Sequence, residues 1–193
     1  MERKLLIKLK NLLDPVLPMK WEVYLKLEKF LESRVYTNKS IIKNVGETER
    51  AGRLILDGLV TLHHQDGKGN LVTRMVFLPG ENAFDFVSYN SGKPSASMFL
   101  ARTKVSTIEL SKEAELQLLK EVPEVAALAI KINHRILEKL FQWNTEILAM
   151  PKNSAYELIY NLHPNLGNIL QVKDFREMLG VGKSTIHRFR QAK

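Results

Sequence analysis

The C-terminal stretch of the chain carries the residues best suited to chemistry, a cluster of basic and hydroxyl side chains that could contact DNA. Apolar residues recur at helical spacing at Val172, Phe175 and Leu179, and Ile186 lies on the inner side of a second such segment. Gly180 stands between the two segments, where a tight turn needs a residue that adopts positive φ readily. The pattern predicts a helix-turn-helix, in which the second helix reads the major groove. Its outward-facing side chains are the predicted DNA contacts: Lys183, Ser184, Thr185, His187, Arg188 and Arg190.

Two other interpretations of this stretch differ in the chemistry they require. The simpler one is an amphipathic terminal helix with an ordinary solvated basic face. The other is a phosphate-binding loop, because the letters GKST at 182–185 match the end of that motif. Glu177 stands where the loop needs its first glycine, so nucleotide hydrolysis is not expected. No Ser, His and Asp pattern and no distinctive pair of carboxylates predicts another enzyme.

The net charge of +8 is concentrated at the two ends of the 193-residue chain. Residues 1–40 carry nine Lys or Arg against five Asp or Glu, and residues 41–150 carry thirteen of each. Residues 151–193 carry seven Lys or Arg against three Asp or Glu. This positive excess would attract a polyanion, and the attraction would weaken as the salt concentration rises. The absence of cysteine excludes disulfides and thiolate metal sites. A cytoplasmic protein is expected, because no apolar run could span a membrane and the charged start is unlike a signal peptide.

The order of patterns along the chain predicts an α+β protein. Two helices are expected first, one ending before Pro15 and one from about Met19 to Ser33. The first helix has an alternative interpretation as a basic amphipathic membrane anchor. Seven of the ten glycines then lie between Gly46 and Gly92 and separate short apolar runs, which indicates an antiparallel β-roll of the jelly-roll kind.

A long helix is predicted from about Val122 to Met150, with apolar residues on two of its sides. One side has the alternating spacing of a coiled coil and is predicted to pair with the same helix of a second subunit. The other side, with Ile130, Leu137 and Phe141 among its members, is predicted to pack on the β-roll. The alternative is that one chain buries both sides. The predicted dimer seam consists of Ala126, Ala129, Asn133, Ile136, Leu140, Trp143, Ile147 and Met150.

The order of helical cap, β-roll, long helix and helix-turn-helix resembles the Crp/Fnr family of bacterial transcription regulators. The segment PGENAFD at 79–85 resembles the opening of that family's phosphate cassette, and KPSAS at 93–97 falls where the rest of the cassette would be. The resemblance implies a cyclic-nucleotide-binding-like sensor and a winged reader of a palindromic operator. It also implies that Lys183, Ser184 and Arg188 face base edges. The C-terminal match lies at Leu179, Gly180, Val181, Thr185, Ile186 and Arg188.

The cassette departs from the family pattern where a cyclic nucleotide would be held. Phe84 and Asp85 replace the Gly-Glu pair, and Ser95 replaces the Arg that meets the cyclic phosphate. Loss of that charge-assisted contact costs on the order of 1.5–3 kcal/mol. Cyclic AMP is therefore not the expected effector, and a different small molecule, or none, is expected. The candidate pocket residues are Arg74, Phe84, Asp85, Ser88, Ser95, Ser97 and Asn133.

No metal site is expected, since His63 and His64 are adjacent and would point to opposite faces of a strand. The expected organisation is a sensor at 1–120, a dimerisation helix at 121–150 and a DNA reader at 151–193. The expected function is a homodimeric regulator on an inverted-repeat operator, in which an effector changes the pairing of the long helices. Its partners would be double-stranded DNA, a second copy of the chain and RNA polymerase. The alternative is a ligand-binding module that acts through protein contacts without DNA.

Overall fold

The computed structural model describes residues 2–191, which begin with two helices. Helix α1 spans Arg3–Leu13, and helix α2 spans Trp21–Leu27 with a 3-10 turn following at Glu28–Phe30. Each buries one apolar side against the protein. None of the helices in the described part of the chain is both long and apolar enough to cross a membrane.

The predicted end of the second helix was wrong. Strand β1 occupies Leu31–Tyr36, so the expected helix to Ser33 stops before it. Strand β1 pairs antiparallel with strand β7 (Val105–Ser111) along its whole length, from Leu31 opposite Leu110 onward. Tertiary pairing of the backbone outweighs the local helical spacing of the side chains here, because alternate residues of β1 exchange backbone hydrogen bonds with β7.

The other strands are β2 (Ile41–Lys43), β3 (Ala51–Asp57), β4 (Val60–Gln65), β5 (Leu71–Phe77) and β6 (Ser97–Ala101). The strands of the described chain form two antiparallel sheets. One sheet has the order β1-β7-β3 and the other has the order β2-β6-β4-β5, so β5 is an edge strand. The fold class is α+β with antiparallel sheets, as predicted. A hairpin joins β4 to β5, where the Asp66 carboxylate accepts from the N–H groups of Lys68 and Asn70 at 2.9 Å.

Helices occupy the rest of the chain, including the cassette region. Helix α3 (Phe86–Ser91), which the sequence patterns did not predict, begins at Asp85, whose carboxylate caps it by accepting from the Ser88 N–H. The later helices are α4 (Lys112–Glu121), α5 (Ala126–Gln142), α6 (Lys152–Asn161), α7 (Leu166–Ile169), α8 (Val172–Leu179) and α9 (Lys183–Gln191).

Two apolar cores hold these elements together. One lies between the three-stranded sheet and the helices α1, α2 and α4, with Tyr24 and Ile108 near its centre. The other runs from the four-stranded sheet into the C-terminal helices and includes Phe99, Tyr156 and Phe175. The C-terminal helices therefore share a continuous core with the sheet and are packed against it.

The structure buries much of the side of the long helix that was predicted to pair with a second subunit, and it exposes the side that was predicted to pack on the β-roll. A 3-10 turn at Pro123–Val125 precedes α5, and a π-turn at Trp143–Ile147 follows it. Both Trp143 and Ile147, expected in the dimer seam, are buried in the chain's own core at 6% exposure.

Further members of the predicted seam face inward as well. Leu140 and Met150 pack on the same core, and Ile136 lines an internal cavity, whereas Ala126 and Asn133 are exposed. A helix that is apolar on two sides does not specify which side its own sheet covers, and packing decided it. The side predicted to pack on the β-roll is the exposed one: Ile130, Leu137, Phe141 and Leu148.

Candidate nucleic-acid interface and ligand cavity

Helices α8 and α9 are joined by a tight turn at Gly180. Reciprocal capping by Gln171 and Asp174 starts α8, each side chain receiving the other residue's backbone N–H. Gly180 adopts a left-handed conformation with φ of 66°, and the Val181 N–H returns to the Arg176 carbonyl at 3.2 Å. A β-carbon is disfavoured at such φ values, which explains the glycine.

Helix α9 has one buried side and one exposed polar side, as its sequence predicts. Ile186 is completely buried, and the Phe189 ring lies 5.5 Å from the ring of Tyr156 on helix α6. Phe175 and Leu179 of α8 are buried in the same core, which confirms the predicted inner faces of both helices. The exposed members of the predicted DNA contacts are Lys183, Ser184, His187 and Arg188.

The other two predicted contacts are half-buried. The Arg190 guanidinium donates to the carbonyls of Gly167 at 3.4 Å and Leu170 at 3.2 Å, and it lies 5.9 Å from the ring centre of Phe175. This side chain ties α9 to the segment before α8. Thr185 is also partly covered. The predicted DNA contacts that are freely exposed are therefore fewer than the sequence suggested.

The first helix of the pair, α8, is attached to the edge of the four-stranded sheet. The Arg102 guanidinium, at the end of β6, donates to both carboxylate oxygens of Asp174 at 2.7 and 3.1 Å. The Thr73 hydroxyl donates to the same carboxylate at 3.0 Å, and the Thr73 N–H donates to Glu177 at 2.8 Å. Glu177 therefore satisfies a backbone donor on an edge strand, which would otherwise be open to pairing with another chain.

His63 is buried beside this attachment. Its ring nitrogens lie 2.9 Å from the Thr61 hydroxyl and 3.2 Å from the Thr73 hydroxyl. Burial lowers the pKa of His63 below its ordinary value, against the attraction of Asp174. The ring is accordingly neutral in the folded protein near neutral pH. Sequence spacing gave no signal for this network, since its members are far apart in the chain.

A cavity of about 700 Å³ lies between the cassette, the inner face of the four-stranded sheet and helix α5. Its walls are mostly apolar, with Leu62, Met75 and Phe99 from the sheet and Ile136 from the helix. Cavities of this size hold drug-sized ligands. The candidate pocket residues that the structure places in its lining are Phe84, Asp85, Ser88, Ser95 and Ser97.

The two remaining pocket candidates lie elsewhere. Asn133 lines a second cavity of about 240 Å³, which lies between the three-stranded sheet and the helices α4 and α5. Arg74 is exposed on β5 and lines neither cavity. Alternate residues of a strand point to opposite faces of the sheet, and Arg74 points to the outer face.

The charged groups of the cassette are held by internal bonds. Asp85 accepts from the Ser88 N–H at 3.0 Å and from the Ser95 hydroxyl. Burial opposes ionisation of this carboxyl, but those bonds and the charge of Lys43 outweigh it and hold the pKa of Asp85 below its ordinary value. The group is therefore a carboxylate at neutral pH. An anionic phosphate placed next to it would be repelled.

The candidate pocket residues omitted several polar residues of the larger cavity, among them His64, Glu81, Asn82 and Lys139. Lys139 donates to Glu81 and to the Val76 carbonyl, the latter at 3.0 Å. Burial lowers the pKa of Lys139, with Glu81 opposing the shift. Glu81 and Asn82 belong to the PGEN letters that suggested the cassette, so that signal was present. Lys139 had none, because its helix is distant in the chain.

No group of three or more His, Asp or Glu residues that could hold a metal ion occurs among residues 2–191. His63 and His64 illustrate the reason. One is buried in the attachment of α8, and the other is exposed and lies 3.0 Å from the Ser97 hydroxyl.

Solved structures of regulators are similar in fold to this chain over most of its length. The Thermus thermophilus catabolite activator protein matches with a TM-score of 0.57 and 19% identity, over 92% of this chain and 85% of that chain. The c-di-GMP-responsive global regulator CLP of Xanthomonas campestris matches with a TM-score of 0.69 and 11% identity, over 90% and 91%. This chain has their fold.

A third solved structure also matches most of the chain. A mutant of CooA from Carboxydothermus hydrogenoformans matches with a TM-score of 0.62 and 13% identity, over 86% of this chain and 78% of that chain. No protein-family model and no curated protein sequence matches the chain. Identities this low mean that the likeness concerns the fold, and the function has to be argued from the residues themselves.

Proposed function

We propose that this protein is a sequence-specific DNA-binding transcription regulator that acts as a homodimer on an inverted-repeat operator. The observation that carries the proposal is the outer side of helix α9, where Lys183, Ser184, His187 and Arg188 are all exposed. Ile186 anchors the opposite side in the core, so the helix presents those groups rigidly. Arg and Lys recognise guanine edges and phosphates, and Ser can serve either. The shared fold with known regulators supports the same conclusion.

The exposed apolar stripe of the long helix supports the homodimer. Ile130, Leu137, Phe141 and Leu148 follow one another at intervals of seven, four and seven residues, the spacing of one side of a coiled coil. Phe141 is 66% exposed, which is unusual for a large aromatic side chain in a monomeric protein. Two copies pairing along this stripe would bury it, and an inverted-repeat operator requires their two α9 helices to lie about 34 Å apart, one turn of DNA.

We propose three successive regions with different roles: a sensor at 1–120, a dimerisation helix at 121–150 and a DNA reader at 151–193. The attachment of α8 to strand β5 is a direct path from sensor to reader. A ligand that favours one arrangement of the sheet and long helix would thereby shift the population of reader positions. The candidate partners are double-stranded DNA, a second copy of the chain and RNA polymerase.

The deciding experiment is selection of bound sequences from pooled random duplexes with the purified protein at two salt concentrations. An enriched inverted repeat is the expected result, with background binding that weakens as salt rises. The matched control replaces Lys68, an exposed lysine in the β4–β5 hairpin, with Ala and is expected to leave the enriched motif unchanged. A protein that lacks even salt-sensitive background binding would instead be a ligand-binding module that acts through protein contacts.

A further inference from the structure

The chemistry of the larger cavity indicates what kind of molecule it can hold. Most of its wall is hydrocarbon from Leu54, Leu62, Met75, Phe77 and Phe99, so burial of apolar surface is the main attraction it offers. Specificity then depends on whichever polar atoms of the wall still lack a partner within the protein.

Nearly all the polar side chains of the cavity are already bonded. The Ser88 hydroxyl donates to the Lys93 carbonyl at 2.5 Å, and the Ser95 hydroxyl donates to Asp85. His64 and the Ser97 hydroxyl lie 3.0 Å apart. Two lining side chains, the Lys93 ammonium and the Asn82 carboxamide, bond to nothing within residues 2–191, and of these Lys93 is exposed to water. A ligand can therefore use one amide, which both donates and accepts, as its polar anchor.

The charges of the wall disfavour an anion. Asp85 is a carboxylate held by internal bonds, and Lys139 is paired with Glu81. The other cations of the lining, Lys93 and Arg135, are exposed to water, where the high dielectric weakens their attraction. Arg135 also donates to the Pro15 carbonyl at 3.1 Å. A cyclic phosphate would have to give up its hydration shell without gaining a buried cation in return.

The aromatic residues of the cassette close the inner end of this cavity. Phe84 packs edge-on against Tyr89 at 5.3 Å and lies 6.2 Å from Phe86. Both Phe84 and Phe86 also line the smaller cavity, as do Asn82 and Ile136. The two cavities thus share the rings of Phe84 and Phe86 in their walls, which adds aromatic surface to both.

We propose that the larger cavity binds an uncharged, largely apolar small molecule that is anchored on Asn82, and that it does not bind a cyclic nucleotide. This inference rests on the proposed function, in that the β-roll is the sensor of the regulator. Its test needs no DNA. Failure of DNA binding and failure of ligand binding are therefore separate results.

The test is a fluorescence titration of the full chain with N-phenyl-1-naphthylamine, an uncharged apolar probe whose emission rises out of water. Saturable binding of one probe per chain is expected, with no displacement by cyclic AMP at about 1 mM. Ala96→Trp, at an exposed position of the lining, and Leu62→Trp, in the wall, are expected to weaken binding about tenfold or more by filling space. Both variants should be checked for folding by circular dichroism.

Two matched controls locate the probe. Val35→Trp places the same side chain on an exposed strand position away from both cavities, and it is expected to bind the probe as the unaltered protein does. Leu116→Gln removes an exposed apolar side chain from helix α4 that lines neither cavity, and it should also leave the titration unchanged. Loss of binding in Leu116→Gln alone, displacement by cyclic AMP, or full binding in folded Ala96→Trp and Leu62→Trp would overturn the proposal.

Discussion

Arg102 and Asp174 form a two-pronged ion pair that joins the β-roll to the first helix of the candidate DNA reader. The bonds measure 2.7 and 3.1 Å, and the side chains are 12% and 5% exposed. The partners stand 72 residues apart in the chain. Asp174 also caps helix α8 and accepts from Thr73. A single carboxylate thus stabilises the start of a helix and fixes that helix to a sheet.

Arg102→Ala is expected to lower the free energy of unfolding by about 3–5 kcal/mol, because it leaves a buried carboxylate without its counter-ion. Urea unfolding measures the loss. Arg74→Ala, which removes an exposed arginine from neighbouring strand β5, should stay within about 0.5 kcal/mol of the unaltered protein. The paired uncharged change Arg102→Met with Asp174→Asn keeps a side-chain oxygen to cap α8 and should recover part of the loss. A full loss in the pair would mean that the ion pair is not the reason.

Arg188→Ala is expected to weaken operator binding by about 1–3 kcal/mol and to relax the preference at one base position. Arg190→Ala, two residues further on, is expected to act differently because its guanidinium is bonded to the Gly167 and Leu170 carbonyls. It should lower thermal stability and change affinity without altering the preferred sequence. Binding curves on operator and random duplexes separate the two. Equal weakening on both duplexes by Arg188→Ala would assign it to phosphate.

Phe141→Glu is expected to convert a dimer to a monomer, since the charge would have to be buried between two copies of the long helix. Sedimentation equilibrium measures the change in mass. Trp143→Ala tests the other side of the same helix, where the ring is buried in the chain's own core. It should cost about 3–5 kcal/mol of stability. A dimer that survives Phe141→Glu would show that the exposed stripe is not the interface.

Stability is expected to fall as the pH drops below about 6.5, the ordinary value for an unfolded histidine. The pKa of His63 is lowered in the folded protein, so the unfolded chain binds more protons between the two pKa values. The free energy of unfolding therefore rises with pH in that window and levels off above it. Urea unfolding across this range measures the slope. His63→Gln should flatten it, whereas an unchanged slope would assign it to other groups.

Gly180→Ala is expected to destabilise the C-terminal helices by about 1–2 kcal/mol, because the turn holds φ at 66°. Gly180→Asn is the matched variant, since asparagine tolerates the left-handed conformation, and it should retain most of the stability. Amide exchange in α8 and α9 measures the local effect. The surroundings of Gly180 are open, so a steric clash of the added side chain is not expected. Equal losses of stability in the two variants would contradict the explanation by backbone strain.

Local patterns were sufficient for much of this protein. Helical spacing and Gly180 predicted the two C-terminal helices and their turn, and Ile186 was correctly placed inside. Glycine-separated apolar runs predicted the antiparallel sheets. These features depend on neighbouring residues, whose spacing decides whether one side of an element can be apolar. The cassette letters likewise indicated the part of the cavity lining that lies in the cassette, because a loop of fixed length brings its own residues together.

Tertiary packing decided the rest. The long helix is apolar on two sides, and only the position of the sheet determines that Trp143 is buried and Phe141 exposed. Arg190 is a residue type that commonly contacts DNA, but its guanidinium donates hydrogen bonds to carbonyls in and next to α7 and is half-buried. The first residues of strand β1 were predicted to be helical, but they form a strand because the distant strand β7 supplies their hydrogen-bond partners. In each case the deciding partner lies far along the chain, and its position follows from the fold and not from local spacing.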